Sequence, residues 1–188
     1  MKNIIIGGTV RAGKSTLANM IRAKYKYSLC ESDTIVNAFQ KTFPELGIVH
    51  NNPELAREKY QPFLFEILDG FCKGLKWNNN ITIFPGSQFL PKHINEYPKK
   101  DQFIVIFLGI IDATPEQLLQ KMRQTQKPHD WIRKESDENL LKICSKIINE
   151  SIELESDCKK YGFYYYNTFN NRDKILKNIV KQIKKQQR

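Results

Sequence analysis

Eight consecutive residues, Gly8-Thr9-Val10-Arg11-Ala12-Gly13-Lys14-Ser15, fit the pattern GxxxxGK[ST] at every position. Each part of that spacing has a chemical use. Gly8 and Gly13 allow the backbone to curl so that successive N–H groups aim at one anion without Cβ obstruction. A helix opening near Lys14 adds the positive end of its dipole. The Lys14 ammonium is placed to bridge the β- and γ-phosphates of a nucleoside triphosphate, and the Ser15 hydroxyl to ligate Mg²⁺. Thr16 can reach a further phosphate oxygen. Gly8, Arg11, Ala12, Gly13, Lys14, Ser15 and Thr16 are therefore the candidate cofactor-binding residues, Ser15 the candidate metal ligand and Lys14 a candidate catalytic cation.

A phosphate loop of this kind has to sit between a strand and a helix. The aliphatic run Ile4-Ile5-Ile6 lies before it, and a helical period over Lys14–Lys24 lies after it. Further runs of strand length are Tyr27–Glu31, Ile81–Phe84, Phe103–Leu108 and Phe163–Tyr166. Between them lie segments of helical period: Thr34–Lys41, for which Asp33 is a good N-cap; Pro53–Leu75, with Tyr60, Leu64, Ile67, Leu68, Phe71 and Leu75 on one face; Pro115–Gln124; and Asp137 to about Lys160. Asn52-Pro53 reads as a helix start, and Pro62 is expected to kink or break the Pro53–Leu75 helix. Thr114-Pro115-Glu116-Gln117 spells a capping box with proline at the first helical position. Gly162 ends the long helix. Alternating strands and helices imply an α/β fold with a mostly parallel sheet covered on both faces.

The chain has 188 residues, is 40% hydrophobic and 11% aromatic, and contains no linker or repeat, so one continuous domain with a packed core is expected. No apolar run reaches the ~18 residues of a membrane span, and Ile4–Ile6 is too short for a signal-peptide core. Cys30, Cys72, Cys144 and Cys158 form no CxxC pair, which argues against a disulfide scaffold or zinc knuckle. His50, His93 and His129 make no ligand pattern. These features predict a reduced, cytoplasmic protein. The formal charge of +10 is uneven, because Arg172–Arg188 holds seven basic residues and one acid. Ile175, Leu176, Ile179, Val180 and Ile183 give that segment an amphipathic helical stripe. A docked helix with a solvated lysine face is the expected reading, with polyanion binding as the alternative.

The N-terminal motif and this layout resemble the small P-loop kinases of the adenylate-kinase-like group, which includes nucleoside, nucleotide, shikimate and gluconate kinases. The motif-level likeness covers Gly8–Thr16, whereas the layout covers nearly the whole chain. The resemblance implies a three-layer α/β/α fold around a five-stranded parallel sheet in the order 2-3-1-4-5. It further implies an acceptor-binding insertion at about 43–75, a lid at about 121–136 and a basic C-terminal helix at about 172–188. It places Asp33, after the second strand, on the acceptor hydroxyl as binding group or base. It makes Arg123 and Arg133 candidate lid arginines closing over the transferring group. Arg57 and Gln88 become candidate acceptor ligands, with Gly86 and Ser87 beside the cleft; His50, Asn51 and Asn52 fall in the insertion. Residues Thr168–Arg172 stand where such kinases pack the adenine. Glu31 is read as structural, and Trp131 as docking into the core.

One position departs from that pattern. The third strand ends Ile83-Phe84-Pro85-Gly86, with Pro85 where an acid of the magnesium shell is expected. The arginine that comes after this acid in monophosphate kinases is also missing, which points to an acceptor without a phosphate. The expected function is an ATP- and Mg²⁺-dependent kinase acting on a small hydroxyl acceptor such as a nucleoside, nucleotide or other metabolite. The alternatives are a regulatory nucleotide-binding protein with weak or no catalysis, and a polynucleotide 5′-hydroxyl kinase. No Asn-Lys-x-Asp guanine motif occurs.

Overall fold

A computed structural model describes residues 1–49 and 53–187. Five parallel strands form one sheet in the order β2-β3-β1-β4-β5: β1 Asn3–Gly8, β2 Ser28–Leu29, β3 Thr82–Pro85, β4 Phe103–Gly109 and β5 Tyr164–Asn167. The helices are α1 Lys14–Tyr25, α2 Ser32–Thr42, α3 Pro53–Asn78, α4 Pro91–Glu96, α5 Pro115–Thr125, α6 Asp137–Tyr161 and α7 Arg172–Gln186. The expected α/β class and strand order are both observed. Strand β1 is central, with Ile4 opposite Ile83 on one side and Ile104 on the other. Every residue of β1 and β4 is buried, as a sheet covered on both faces requires.

Two apolar layers flank the sheet. Ile4 and Ile6 pack with α1, α5 and α7 through Leu17, Ile21, Leu118, Leu176 and Ile179. Ile5 points the other way, with Tyr60, Leu64, Leu68, Phe84 and Phe107. The two-residue period of β1 thus assigns its side chains to opposite layers.

Several local expectations change. Helix α3 runs through Pro62 without a break. The missing N–H falls on the exposed face, while Tyr60, Leu64, Leu68, Cys72 and Leu75 stay buried on the other. Packing of that stripe outweighs the local cost of proline. Helix α2 begins at Ser32, earlier than expected: Glu31 is its N-cap, with no side-chain cap bond, and Asp33 lies within the first turn. That frees the Asp33 carboxylate for other partners. Helix α4 was not expected from the sequence, since six residues carry too little period to register. The capping box at Thr114 and Gln117 is formed as expected. Trp131 is 44% exposed, and its neighbour Ile132 takes the buried place instead. The expected roles of His50, Asn51 and Asn52, and the charge of Arg188, lie outside the described residues. No helix among the described residues is long and apolar enough to cross a membrane.

Candidate functional site

At the C-terminal ends of β1 and β3 the chain leaves the sheet, and a cleft of about 630 Å³ opens there. Its floor is the phosphate loop. Gly8 adopts φ +134° against β4, where a Cβ would stand 2.0 Å from the Leu108 carbonyl oxygen. Gly13 adopts φ +99° as the residue before α1. Arg11, between them, is left-handed at φ 67°, a conformation that a side chain rarely takes. These three positions curl the loop tightly onto the N-terminus of α1, the end of a helix that favours anions.

The loop is braced from behind. The Thr168 hydroxyl, just past β5, donates to the Ala12 carbonyl at 2.8 Å. The Thr9 and Ser151 hydroxyls share a buried hydrogen bond of 2.9 Å, and Ser151 also accepts from the Ile110 amide. The signal for Ser151 was present in the sequence as a hydroxyl inside the apolar row of α6. Thr168 had no comparable signal, because only the strand order brings β5 near the loop.

Gly13, Lys14, Ser15 and Thr16 line the cleft, as does Asp33 on the facing side. The Lys14 ammonium donates to the Gly8 and Thr9 carbonyls at 3.0 and 2.8 Å. Desolvation among these groups lowers its pKa to about 8; Asp33 and Glu150 pull it up, and Arg57 pushes it down. Asp33 is held in place. The Gln88 amide donates to its Oδ1 at 3.0 Å, and the Ser32 hydroxyl donates to Gln88 Oε1 at 2.8 Å. Gly86 makes this possible, since a Cβ there would stand 2.5 Å from Ser32 Cβ. Gln88 therefore orients the carboxylate, and its buried amide is already engaged.

Arg57 donates from Nε to the Ser87 carbonyl at 3.2 Å and lies 3.7 Å from Glu150. It braces the turn after β3 and does not line the cleft. The two arginines expected to close over the transferring group are elsewhere too. Arg123 donates to the Ile132 and Glu135 carbonyls, both at 2.8 Å, and pairs with Asp137 at 2.5 Å. It ties the end of α5 to the 132–135 segment and to the first turn of α6. Arg133 is exposed, and neither arginine is in the cleft wall. The cation that reaches this segment at the cleft comes from the phosphate loop itself: Arg11 Nη1 donates to Asp130 Oδ2 at 2.6 Å. Burial raises the Asp130 carboxyl, but Arg11 and nearby backbone N–H groups more than offset this and leave it below its ordinary value. Lys127, His129 and Asp130, between α5 and α6, also line the cleft, as does Arg172 of α7.

Three or more His, Cys, Asp or Glu side chains nowhere group to hold a metal among the described residues. Pro85 closes β3 opposite Ile6 and offers no oxygen side chain. Ser15 and Asp33 share the cleft, and Mg²⁺ commonly keeps several waters and binds through one or two protein groups plus substrate phosphates. The donor set fits such an ion.

The architecture matches solved structures over almost the whole chain. A shikimate kinase from Bacteroides thetaiotaomicron aligns over 98% of this chain and 97% of its own, with a TM-score of 0.57 at 16% identity. The fold is that of the small P-loop kinases. A gluconokinase from Sinorhizobium meliloti shares this P-loop kinase fold over 100% of this chain and 98% of its own, with a TM-score of 0.54 at 11% identity. No protein-family model matches the chain, and no curated protein matches it in sequence.

Proposed function

We propose that this protein is an ATP-dependent phosphotransferase that moves the γ-phosphoryl group to the hydroxyl of a small acceptor. The observation that carries the reading is Asp33: a carboxylate fixed by Gln88 and Ser32, facing the same cleft as Lys14 and Ser15. An unoriented surface acid would not need a buried amide that is itself held by a buried hydroxyl. The acceptor hydroxyl would lie between Asp33 and the phosphate loop, where the carboxylate can take its proton as the oxygen attacks phosphorus. The loop amides and Lys14 would hold the β- and γ-phosphates. Mg²⁺, when bound, would supply charge neutralisation on the phosphates, with Ser15 as its protein-side ligand.

Arg11 takes the part expected of Arg123 and Arg133. Its guanidinium spans the loop and the lid, so lid closure and cation placement are one event. The acceptor class favoured is a hydroxyl metabolite without a phosphate, because Arg57 is spent on Ser87 and Glu150. A second reading, a regulatory nucleotide-binding protein, draws on Pro85 in place of a third-strand acid.

ADP release from Mg·ATP, measured against nucleosides, nucleoside monophosphates, sugars and hydroxy acids, tests the proposal. Stimulation by one acceptor class that disappears in both Lys14→Ala and Asp33→Asn supports a kinase. ATP binding without stimulation by any acceptor favours the regulatory reading.

A further inference from the structure

Helix α5 packs on α6, whereas α7 packs on α1. A groove of about 670 Å³ is left between α5 and α7, lined by Lys121 and Thr125 from one helix and Arg172, Lys174, Lys177 and Lys181 from the other. Asp173 is the single acid in its wall. The groove runs into the cleft, because Thr125 and Arg172 line both.

Lys174, Lys177 and Lys181 keep the three- and four-residue spacing of one helix face and are exposed. At a rise of 1.5 Å per residue they cover about 10 Å along α7. None of the three makes an ion pair or hydrogen bond among the described residues, unlike Lys142 and Lys159, which pair with acids four positions away. Lys121 is oriented by the Phe169 carbonyl and sits over the Phe169 ring at 4.6 Å. A row of like charges held together without counter-charges is unfavourable by itself, and a ligand bearing regularly spaced anions would relieve it.

We infer that the α5–α7 groove binds the sugar-phosphate backbone of a single nucleic-acid strand whose end lies towards the cleft. A membrane surface fits poorly. Of the apolar residues of α7, Leu176, Ile179, Val180 and Ile183 are buried and Ile175 is half-buried against the same core, so no broad apolar face remains to enter lipid. A protein partner would need an apolar centre to its interface, and the groove wall has none. The concavity suits one strand, and the absence of an exposed ring in the wall makes the binding electrostatic and tolerant of base sequence.

The test uses fluorescein-labelled dT20 and rU20 with the full chain, without ATP, from 50 to 300 mM salt. Lys174→Gln/Lys177→Gln/Lys181→Gln is compared with Lys41→Gln/Lys76→Gln/Lys92→Gln, a triple of equal charge change at exposed sites outside the groove. Glutamine is a good helix former, and circular dichroism checks that both variants fold. The wild type is expected to bind both strands, with the groove triple at least tenfold weaker at 100 mM salt. The slope of log K against log salt should fall by about 2, at about 0.7 per lost phosphate contact. The second triple should stay within about threefold of wild type. Lys14→Ala should leave strand binding unchanged, so the inference stands or fails apart from the kinase reading. Equal losses in the two triples would reduce the effect to net charge and overturn it. So would failure to bind at 50 mM salt, tighter binding to a 20-base-pair duplex, or preference for phosphatidylserine vesicles over dT20.

Discussion

Arg11, at the middle of the phosphate loop, donates to Asp130, in the segment between α5 and α6, at 2.6 Å across a chain separation of 119 residues. The two side chains are only 22% and 10% exposed, so the pair is sheltered and is worth more than a surface ion pair. The segment between α5 and α6 is thus tethered to the element that would hold the phosphates.

This pair gives the first prediction. Arg11→Ala should lower turnover by about 10²–10³-fold, the usual cost of losing one oriented donor to transition-state charge. Asp130→Asn should lower it less, because the guanidinium remains but loses its orientation. The swap Arg11→Asp/Asp130→Arg separates tether from catalysis: protease resistance of 126–135 should recover while turnover does not. Recovery of both would make Arg11 a tether alone.

The second concerns the carboxylate. Asp33→Asn is expected to cost about 10²–10⁴-fold in kcat, with little change in ATP affinity. Gln88→Leu and Ser32→Ala should each cost less than Asp33→Asn and act through kcat more than KM, since they leave the carboxylate present but unheld. Single-turnover phosphoryl transfer reads this directly. A change confined to ATP affinity would mean that Asp33 serves the nucleotide and not the acceptor.

A pH dependence arises from Lys14, whose pKa of about 8 lies below its ordinary 10.5 through burial. Phosphates at the ammonium would raise it again. At pH 8.5, ATP binding should therefore take up as much as about 0.7 proton, visible by calorimetry in buffers of different ionisation enthalpy. The sign for stability is fixed by the same shift. Between pH 8 and 10.5 the unfolded chain binds more protons at this lysine, so its contribution to stability rises with pH across that window. Lys14→Ala should remove both effects.

The last is structural. Arg123 holds the Ile132 and Glu135 carbonyls as well as Asp137, and Asp137 is 68% exposed. Arg123→Ala should destabilise the lid by about 1–3 kcal/mol, because two carbonyls lose a charged donor. Asp137→Asn should cost less than about 1 kcal/mol, the range of an exposed pair. Thermal unfolding and limited proteolysis at 126–135 distinguish them.

Adjacent residues were enough to specify the phosphate loop, the alternation of strands and helices, and the ends of α5 and α6, where Thr114, Gln117 and Gly162 act on their immediate neighbours. Such features depend on contacts within a few positions. Asp33 beside the cleft was implied as well, by the resemblance to small P-loop kinases and not by its neighbours in the chain. Relationships across long separations came from the folded chain alone: Thr168 bracing Ala12, Gln88 and Ser32 holding Asp33, and Arg11 pairing with Asp130. Pro62 inside α3 belongs with them, since a buried stripe outweighed the local signal. Local propensity is written in neighbouring residues, whereas the partner of a buried polar group is chosen by which strand ends the sheet order brings together.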